Sequence, residues 1–304
     1  MRVAVFDIGT NSTRMLIAEV ERGVAIPLVW RTRITRLGEG IGGGRLLPEA
    51  IERTVRVLRD YADEARRERV ARVRVVATSA VRDAANANDL IARAYYLNLP
   101  VEVLDGEREA ALTHLGASAD LGPSTRCLVI DIGGGSSELV LGLHGRVESR
   151  VSLDVGCVRM KEKYPLYDPP IREQIDALQR IVMETFRPFL PQFAGVNQLP
   201  VIGVAGTVTS LAAIRQKLEV YDPQRVHGFY MTRQDVLETI EDLGRMSLEQ
   251  LRAIPVLEEG RADVIVHGAC ILAGIMRLFD LPGLSASEHG ILYGLALELA
   301  QEAA

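Results

Sequence analysis

Val5-Phe6-Asp7-Ile8-Gly9-Thr10-Asn11-Ser12 and Val129-Ile130-Asp131-Ile132-Gly133-Gly134-Gly135-Ser136 are one pattern written twice, 124 residues apart, with Val, Asp, Ile, Gly and Ser in common. Each copy is an apolar run ending in Asp-Ile-Gly, then small polar residues, then a second apolar run. That second run is Met15-Leu16-Ile17-Ala18 in the first copy and Leu139-Val140-Leu141 in the second. The pattern reads as strand, tight turn, strand. A repeat of this length points to a duplicated domain, not to a single continuous core.

Working outward, the first half predicts strands at 2–8, 13–20 and 24–35. A helix follows at 48–69, where Ile51, Val55, Leu58, Ala62 and Ala65 recur at helical spacing. Strand 73–78, helix 79–98, strand 101–105 and helix 107–120 complete it. The second half predicts strands at 126–132, 137–143 and 146–153, a helix at 170–193 after Pro169-Pro170, strand 200–204 and a helix from 207. A mostly helical insertion runs over 232–279, and strand 284–288 and helix 289–302 close the chain. Both halves therefore read βββαβαβα, an α/β class. The expected domains are 1–122 and 123–304, divided near Leu121-Gly122-Pro123-Ser124 and facing one another across a cleft, with the final helix a candidate to cross back onto the first domain. A length of 304 residues agrees with two cores.

Composition narrows the function classes. The hydrophobic share of 48% and charged share of 25% are ordinary for a soluble globular chain. The net charge of −5 provides no bulk attraction for an anion, so any phosphate affinity has to come from local geometry. Lys161, Lys163 and Lys217 are the only lysines among 35 basic residues. Arginine's fork suits bidentate phosphate contact, although genomic base composition is the favoured explanation for most of these arginines. Cys127, Cys157 and Cys270 form no CxxC pair, which argues against a zinc site or a disulfide framework. His114, His144, His227, His267 and His289 have no ligand spacing and read as structural, and Trp30 alone makes no platform for nucleic acid. The start of the chain runs directly into a strand without a charged-then-apolar leader, and no apolar stretch reaches spanning length. A cytoplasmic protein without membrane or nucleic-acid partners is expected.

The chemistry lies in the turns. Glycine lets backbone N–H groups approach an anion closely, which makes Gly9, Thr10, Asn11 and Ser12 in one copy and Gly133, Gly134, Gly135 and Ser136 in the other candidates for holding phosphate. Hydroxyls of Thr10, Ser12, Ser136 and Ser137 add donors. A single turn of this kind reads as an ordinary glycine hairpin; two at equivalent points of a repeat point to a grip on a phosphate chain. Asp7 and Asp131, each ending an apolar strand, are candidates to hold Mg²⁺ or its water. Val201-Ile202-Gly203-Val204-Ala205-Gly206-Thr207 adds a strand followed by a helix start, where Gly206 and Thr207 face an anion or Thr207 simply caps the helix.

These turns, together with Ala77-Thr78-Ser79-Ala80-Val81-Arg82-Asp83, Asp105-Gly106-Glu107-Arg108-Glu109-Ala110, Arg36-Leu37-Gly38-Glu39-Gly40 and Gly260-Arg261-Ala262-Asp263, resemble the exopolyphosphatase/guanosine pentaphosphate phosphohydrolase family from first strand to last helix. The resemblance implies the duplicated actin-like fold of actin, Hsp70 and the sugar kinases, which is ribonuclease H-like in each half. It also implies the short, two-domain type. Ser287-Glu288-His289-Gly290 departs from the arginine-glutamate-glycine run of many members.

The resemblance further implies that Glu109 is the base, which fits a carboxylate in the first turn of a helix: it can orient a water and take its proton during in-line attack on phosphorus. Glu138, on the strand leaving the second turn, is implied to position that water or a metal, with Asp131 and Asp7 as further ligands for Mg²⁺ or Mn²⁺. Arg14, in the slot matched by Glu138, and Arg82 and Arg261 are candidate phosphate contacts, with surface ion pairs the equal alternative. The expected reaction is removal of terminal phosphate from polyphosphate or from pppGpp, the latter placing the protein in the stringent response. The alternatives are an ATP-dependent small-molecule kinase or ATPase, or a filament-forming or regulatory member, of the same fold group. The apolar helices at 264–279 and 291–300 leave a homodimer open beside plain domain packing.

Overall fold

The computed structural model describes residues 1–122, 124–143, 146–258 and 260–302, so His144 and Pro123 of the expected boundary lie outside the described residues. The chain divides into two compact units: Met1–Ala119 with His289–Ala304, and Asp120–Glu288.

The first unit comprises β1 (Arg2–Ile8), β2 (Ser12–Glu21), β3 (Val24–Ile34), α1 (Pro48–Arg67), β4 (Arg72–Ala77), α2 (Ser79–Asp83), α3 (Ala87–Tyr95), β5 (Val101–Val103) and α4 (Gly106–Ala117). In the second unit follow β6 (Arg126–Ile132), β7 (Ser137–Leu143), β8 (Arg146–Leu153), α5 (Cys157–Lys163), α6 (Arg172–Phe186), β9 (Val201–Val204), α7 (Ala205–Arg215), α8 (Pro223–Val226), β10 (Tyr230–Thr232), α9 (Arg233–Leu243), α10 (Leu248–Arg252), α11 (Ile265–Leu278) and β11 (Gly283–Ala286). The last helix, α12 (Ile291–Gln301), belongs to the first unit.

The sheets repeat one another. The first is ordered β3-β2-β1-β4-β5, and the second β10-β11-β9-β6-β7-β8. In each, the strand carrying the repeated aspartate is central, antiparallel to the strand after the turn and parallel to the strand on its other side. A central strand buries both faces, which is why β1 and β6 are almost unbroken apolar runs. The chain thus has the duplicated actin-like α/β fold.

Side chains alternate across the first sheet. Ala4, Phe6 and Ile8 pack with Ile51, Leu58 and Tyr61 of α1, whereas Val3 and Val5 pack with Leu112 of α4 and Leu292 and Leu295 of α12. Asp7 shares the parity of Val5 and so emerges on the α4 side. The helices α4 and α12 cross with almost no space between them: a Cβ built on Gly294 would stand 1.9 Å from the carbonyl oxygen of Leu112, and one on Gly116 2.1 Å from that of Gly290. Only glycine permits that approach. In the second unit Leu128, Ile130 and Ile132 of β6 join Val182, Leu211 and Ile271 in one core, which leaves Val129 and Asp131 on the opposite face.

Two predicted elements need correction. The helix expected over 79–98 is two helices, α2 and α3, because Ala84 is extended (ψ 126°) and the Asn86 amide is bound in both directions to the backbone of Leu46. The helix expected from Thr207 begins at Ala205, so Thr207 lies buried in its first turn and does not cap it. The short α5, α8 and β10 lacked sufficient apolar periodicity to be recognised in the sequence.

Candidate active site

Each turn closes identically. The N–H of Gly9 donates to the Ser12 carbonyl at 2.9 Å, and the N–H of Gly133 to the Ser136 carbonyl at 3.0 Å. The segment after the third strand then takes up the turn's own carbonyls. In the first unit Thr35 and Arg36 donate to Asn11 and Gly38 donates to Thr10; in the second Cys157 donates to Gly133, and Val158 and Arg159 to Gly134. In a trans peptide the N–H following a carbonyl points the other way. The N–H groups of Asn11, Gly134 and Gly135 are therefore aimed away from those donors, as an anion-binding concavity needs. The Thr10 hydroxyl is held by Ser79 at 2.9 Å, which gives the Thr78-Ser79 motif a supporting part that the sequence did not disclose.

Gly156 seats the second turn: a Cβ there would come within 2.3 Å of the Gly134 carbonyl. Gly156→Ala should therefore force that turn aside. We expect phosphate release to fall at least ten-fold, with a loss of about 1–3 kcal/mol in stability from overpacking, read by denaturant titration. Activity and stability both at wild-type values would show that the turn tolerates displacement.

The aspartates ending the two central strands have opposite partners. Asp7 stands across from Arg14 in register and Asp131 across from Glu138. Asp7 is 2% exposed, and its Oδ2 accepts from Arg14 Nε at 3.0 Å and Nη2 at 2.5 Å, while its buried Oδ1 has no hydrogen-bond partner among the described residues. In the second unit two carboxylates face each other on adjacent strands, an arrangement that repulsion disfavours unless a cation intervenes. Glu138 is buried, with Oε1 accepting from Ser152 Oγ at 2.7 Å; Ser152 is its partner on β8 and was not singled out from the sequence. The donor set at Asp131 and Glu138 consists of hard oxygens, the kind Mg²⁺ and Mn²⁺ take.

Glu109 lies in the first turn of α4, whose N-cap Asp105 accepts from the Arg108 N–H at 2.7 Å. Its Oε2 accepts from Arg82 Nη1 at 3.0 Å, and the same nitrogen reaches the Leu104 carbonyl at 3.0 Å. Arg82 thus touches the candidate base and fixes its rotamer. Glu39 is half exposed and pairs with Arg53 at 2.9 Å. At the third glycine element Ala205 holds a left-handed φ of 65°, a strained state for alanine, and the Arg261 guanidinium lies against Gly206, where a Cβ would overlap Nη1. Arg261 also pairs with Glu258 at 3.1 Å. Nearby Tyr221, not marked in the sequence, donates to Glu288, and burial beside that carboxylate pushes its hydroxyl far above the usual phenol range. Of the histidines, His227 hydrogen-bonds rather than filling core: Nε2 is 3.3 Å from Asp120, and Nδ1 accepts the Glu288 N–H at 3.3 Å. Burial raises all three thiols, Cys127 and Cys157 to about 11 and Cys270 to about 12, which leaves them inert at neutral pH.

A duplicated actin-like chain with a glycine turn of matching geometry in each half and an arginine-held glutamate at a helix start offers candidate parts for handling a phosphoryl group. The comparison with known proteins is specific. Residues 16–303 match the model of the Ppx/GppA phosphatase family, and the chain belongs to that family. It is 40% identical to exopolyphosphatase 2 of Mycobacterium tuberculosis over 98% of both chains. It superposes on the Aquifex aeolicus Ppx/GppA family member with a TM-score of 0.84 and 31% identity, covering 100% of this chain and 98% of the other. An exopolyphosphatase from Cytophaga hutchinsonii, 24% identical, shares the fold at a TM-score of 0.91 over 99% and 98% of the two chains. Among the described residues no helix is long and apolar enough to cross a membrane.

Proposed function

We propose that the protein is an exophosphatase that removes the terminal phosphate of inorganic polyphosphate, with pppGpp as a second substrate of the same chemistry. The observation that supports this reading is the setting of Glu109, a mostly buried carboxylate in the first turn of α4 that is held in place by Arg82. Glu109 takes the proton of that water as its oxygen attacks phosphorus in line with the departing phosphate. The N–H groups of the two turns, with Arg14 and Arg261, hold the phosphate oxygens. In the second unit Asp131 and Glu138, and in the first unit Asp7 through an Oδ1 without a hydrogen-bond partner among the described residues, are the residues that would hold Mg²⁺ or Mn²⁺. When bound, the ion neutralises charge on the transferring phosphoryl group. The identity to an exopolyphosphatase along the whole chain supports polyphosphate as the substrate class.

The test is phosphate release from a chain-length series of polyphosphates beside pppGpp, with Mg²⁺ varied. Metal-dependent release from polyphosphate is expected. No release from pppGpp or from any chain length at saturating metal would overturn the proposal, and tight ATP binding with transfer to a small acceptor would replace it with a kinase.

A further inference from the structure

A cavity of about 630 Å³ opens in the Asp120–Glu288 unit between α6 and α9, beside the C-terminal end of α11. None of the residues assigned above to phosphate, metal or proton transfer lines it. Its size suits a small molecule, since such sites span roughly 300–1,000 Å³.

Its lining is divided by chemistry. The floor is aliphatic, formed by Ile175, Leu237 and Ile240. Gly244 adjoins that floor: a Cβ there would stand 2.6 Å from Ile175 Cδ1, so a larger residue would turn that side chain aside. Around it stand Arg172, Arg233, Arg245 and Arg277 against Asp176 and Glu241, four positive groups to two negative, a local excess of two in a chain whose net charge is −5. Arg172, Arg233 and Arg245 each have a carboxylate within 4.0 Å. Arg277 has none among the described residues. Its Nη1 donates instead to Oε1 of Gln179 at 3.1 Å, and Gln179 is 4% exposed. A buried neutral amide thus holds the guanidinium at the cavity without neutralising it, and its other N–H donors remain available to an anion.

We propose that this cavity binds a small amphipathic anion, a terminal phosphate or carboxylate on an apolar body, with the anionic group on Arg277 and the body on Ile175, Leu237 and Ile240. A bare polyanion would use the arginines and leave the aliphatic floor wet, so the pairing of the two surfaces favours a ligand with both characters. A nucleoside monophosphate and an alkyl phosphate share that chemistry, and the experiment separates them.

The test is calorimetric titration of the full chain with AMP, with octyl phosphate and with inorganic phosphate, repeated on Arg277→Gln and Gln179→Glu. Gln179→Glu keeps the side-chain shape and places a carboxylate against Arg277. At least one of the two amphipathic probes should bind ten-fold or more tightly than inorganic phosphate and lose at least ten-fold in both variants, while phosphate release without probe is unchanged. Inorganic phosphate binding as tightly as the tighter of the two probes, affinities unmoved by both substitutions, or saturable binding by neither AMP nor octyl phosphate would each overturn the proposal. Because the variants lie outside the proposed catalytic residues, this outcome is independent of whether the substrate is polyphosphate.

Discussion

Glu109→Gln is expected to fold as the wild type does and to release phosphate about 10²–10⁴-fold more slowly, the range that a positioned general base contributes. The amide keeps the volume of the side chain and can still accept from Arg82, so the helix start and its Asp105 cap are undisturbed. It cannot take a proton from water. The loss should appear in kcat with little change in KM, because the interaction removed acts on the transition state and not on the bound polyphosphate. Retention of full activity by a folded Glu109→Gln would remove Glu109 from the mechanism. Arg82→Lys is an informative companion. It keeps the charge but loses the fork that spans Glu109 and the Leu104 carbonyl, so a fall in kcat there separates positioning from mere neutralisation.

The second large effect is expected at Glu138. With Glu138→Gln, half-maximal activity should require at least 10–100-fold more Mg²⁺, since weakening even an outer partner of a metal ligand costs that much. Binding also leaves a trace without turnover. A ligand present at 100 times its Kd stabilises the folded state by about 2.7 kcal/mol, so Mg²⁺ should raise the wild-type Tm and leave that of Glu138→Gln nearly unmoved. The equivalent position in the first unit carries Arg14, whose guanidinium already answers Asp7 at 2.5 Å. Arg14→Gln should accordingly not alter the Mg²⁺ requirement by a comparable factor. Equal metal shifts in wild type and Glu138→Gln would place the ion elsewhere.

The duplication was legible because one pattern appears twice: Asp-Ile-Gly recurring after an apolar run marks a strand, a tight turn and a second strand in each half. Helix α1 was legible for a similar reason, since its buried face repeats at helical spacing and Pro48 marks its start. The hydrogen-bond partners were not. Neither the grip of Arg82 on Glu109, 27 positions away, nor that of Ser152 on Glu138 leaves a mark in local sequence, because each arises from packing of separate elements. Ser152 would have been reachable once β8 was placed in register, for it stands directly across from Glu138. The split between α2 and α3 was hidden as well: Ala84-Ala85 reads as good helix, and the Asn86 bonds to Leu46 together with the Ala85 N–H bond to the Gly44 carbonyl override that propensity.

The strand order hides a problem for the nascent chain. Residues 1–119 leave the ribosome first, yet one face of their sheet, with Val3, Val5 and Leu16, is covered in part by Leu292, Leu295 and Leu299, which are made last. The continuous stretch 120–288 has a core of its own and can finish earlier. Translation order and completion order are therefore reversed: the segment that is synthesised first waits, with apolar surface open to chaperones or to aggregation, until the carboxyl-terminal helix arrives.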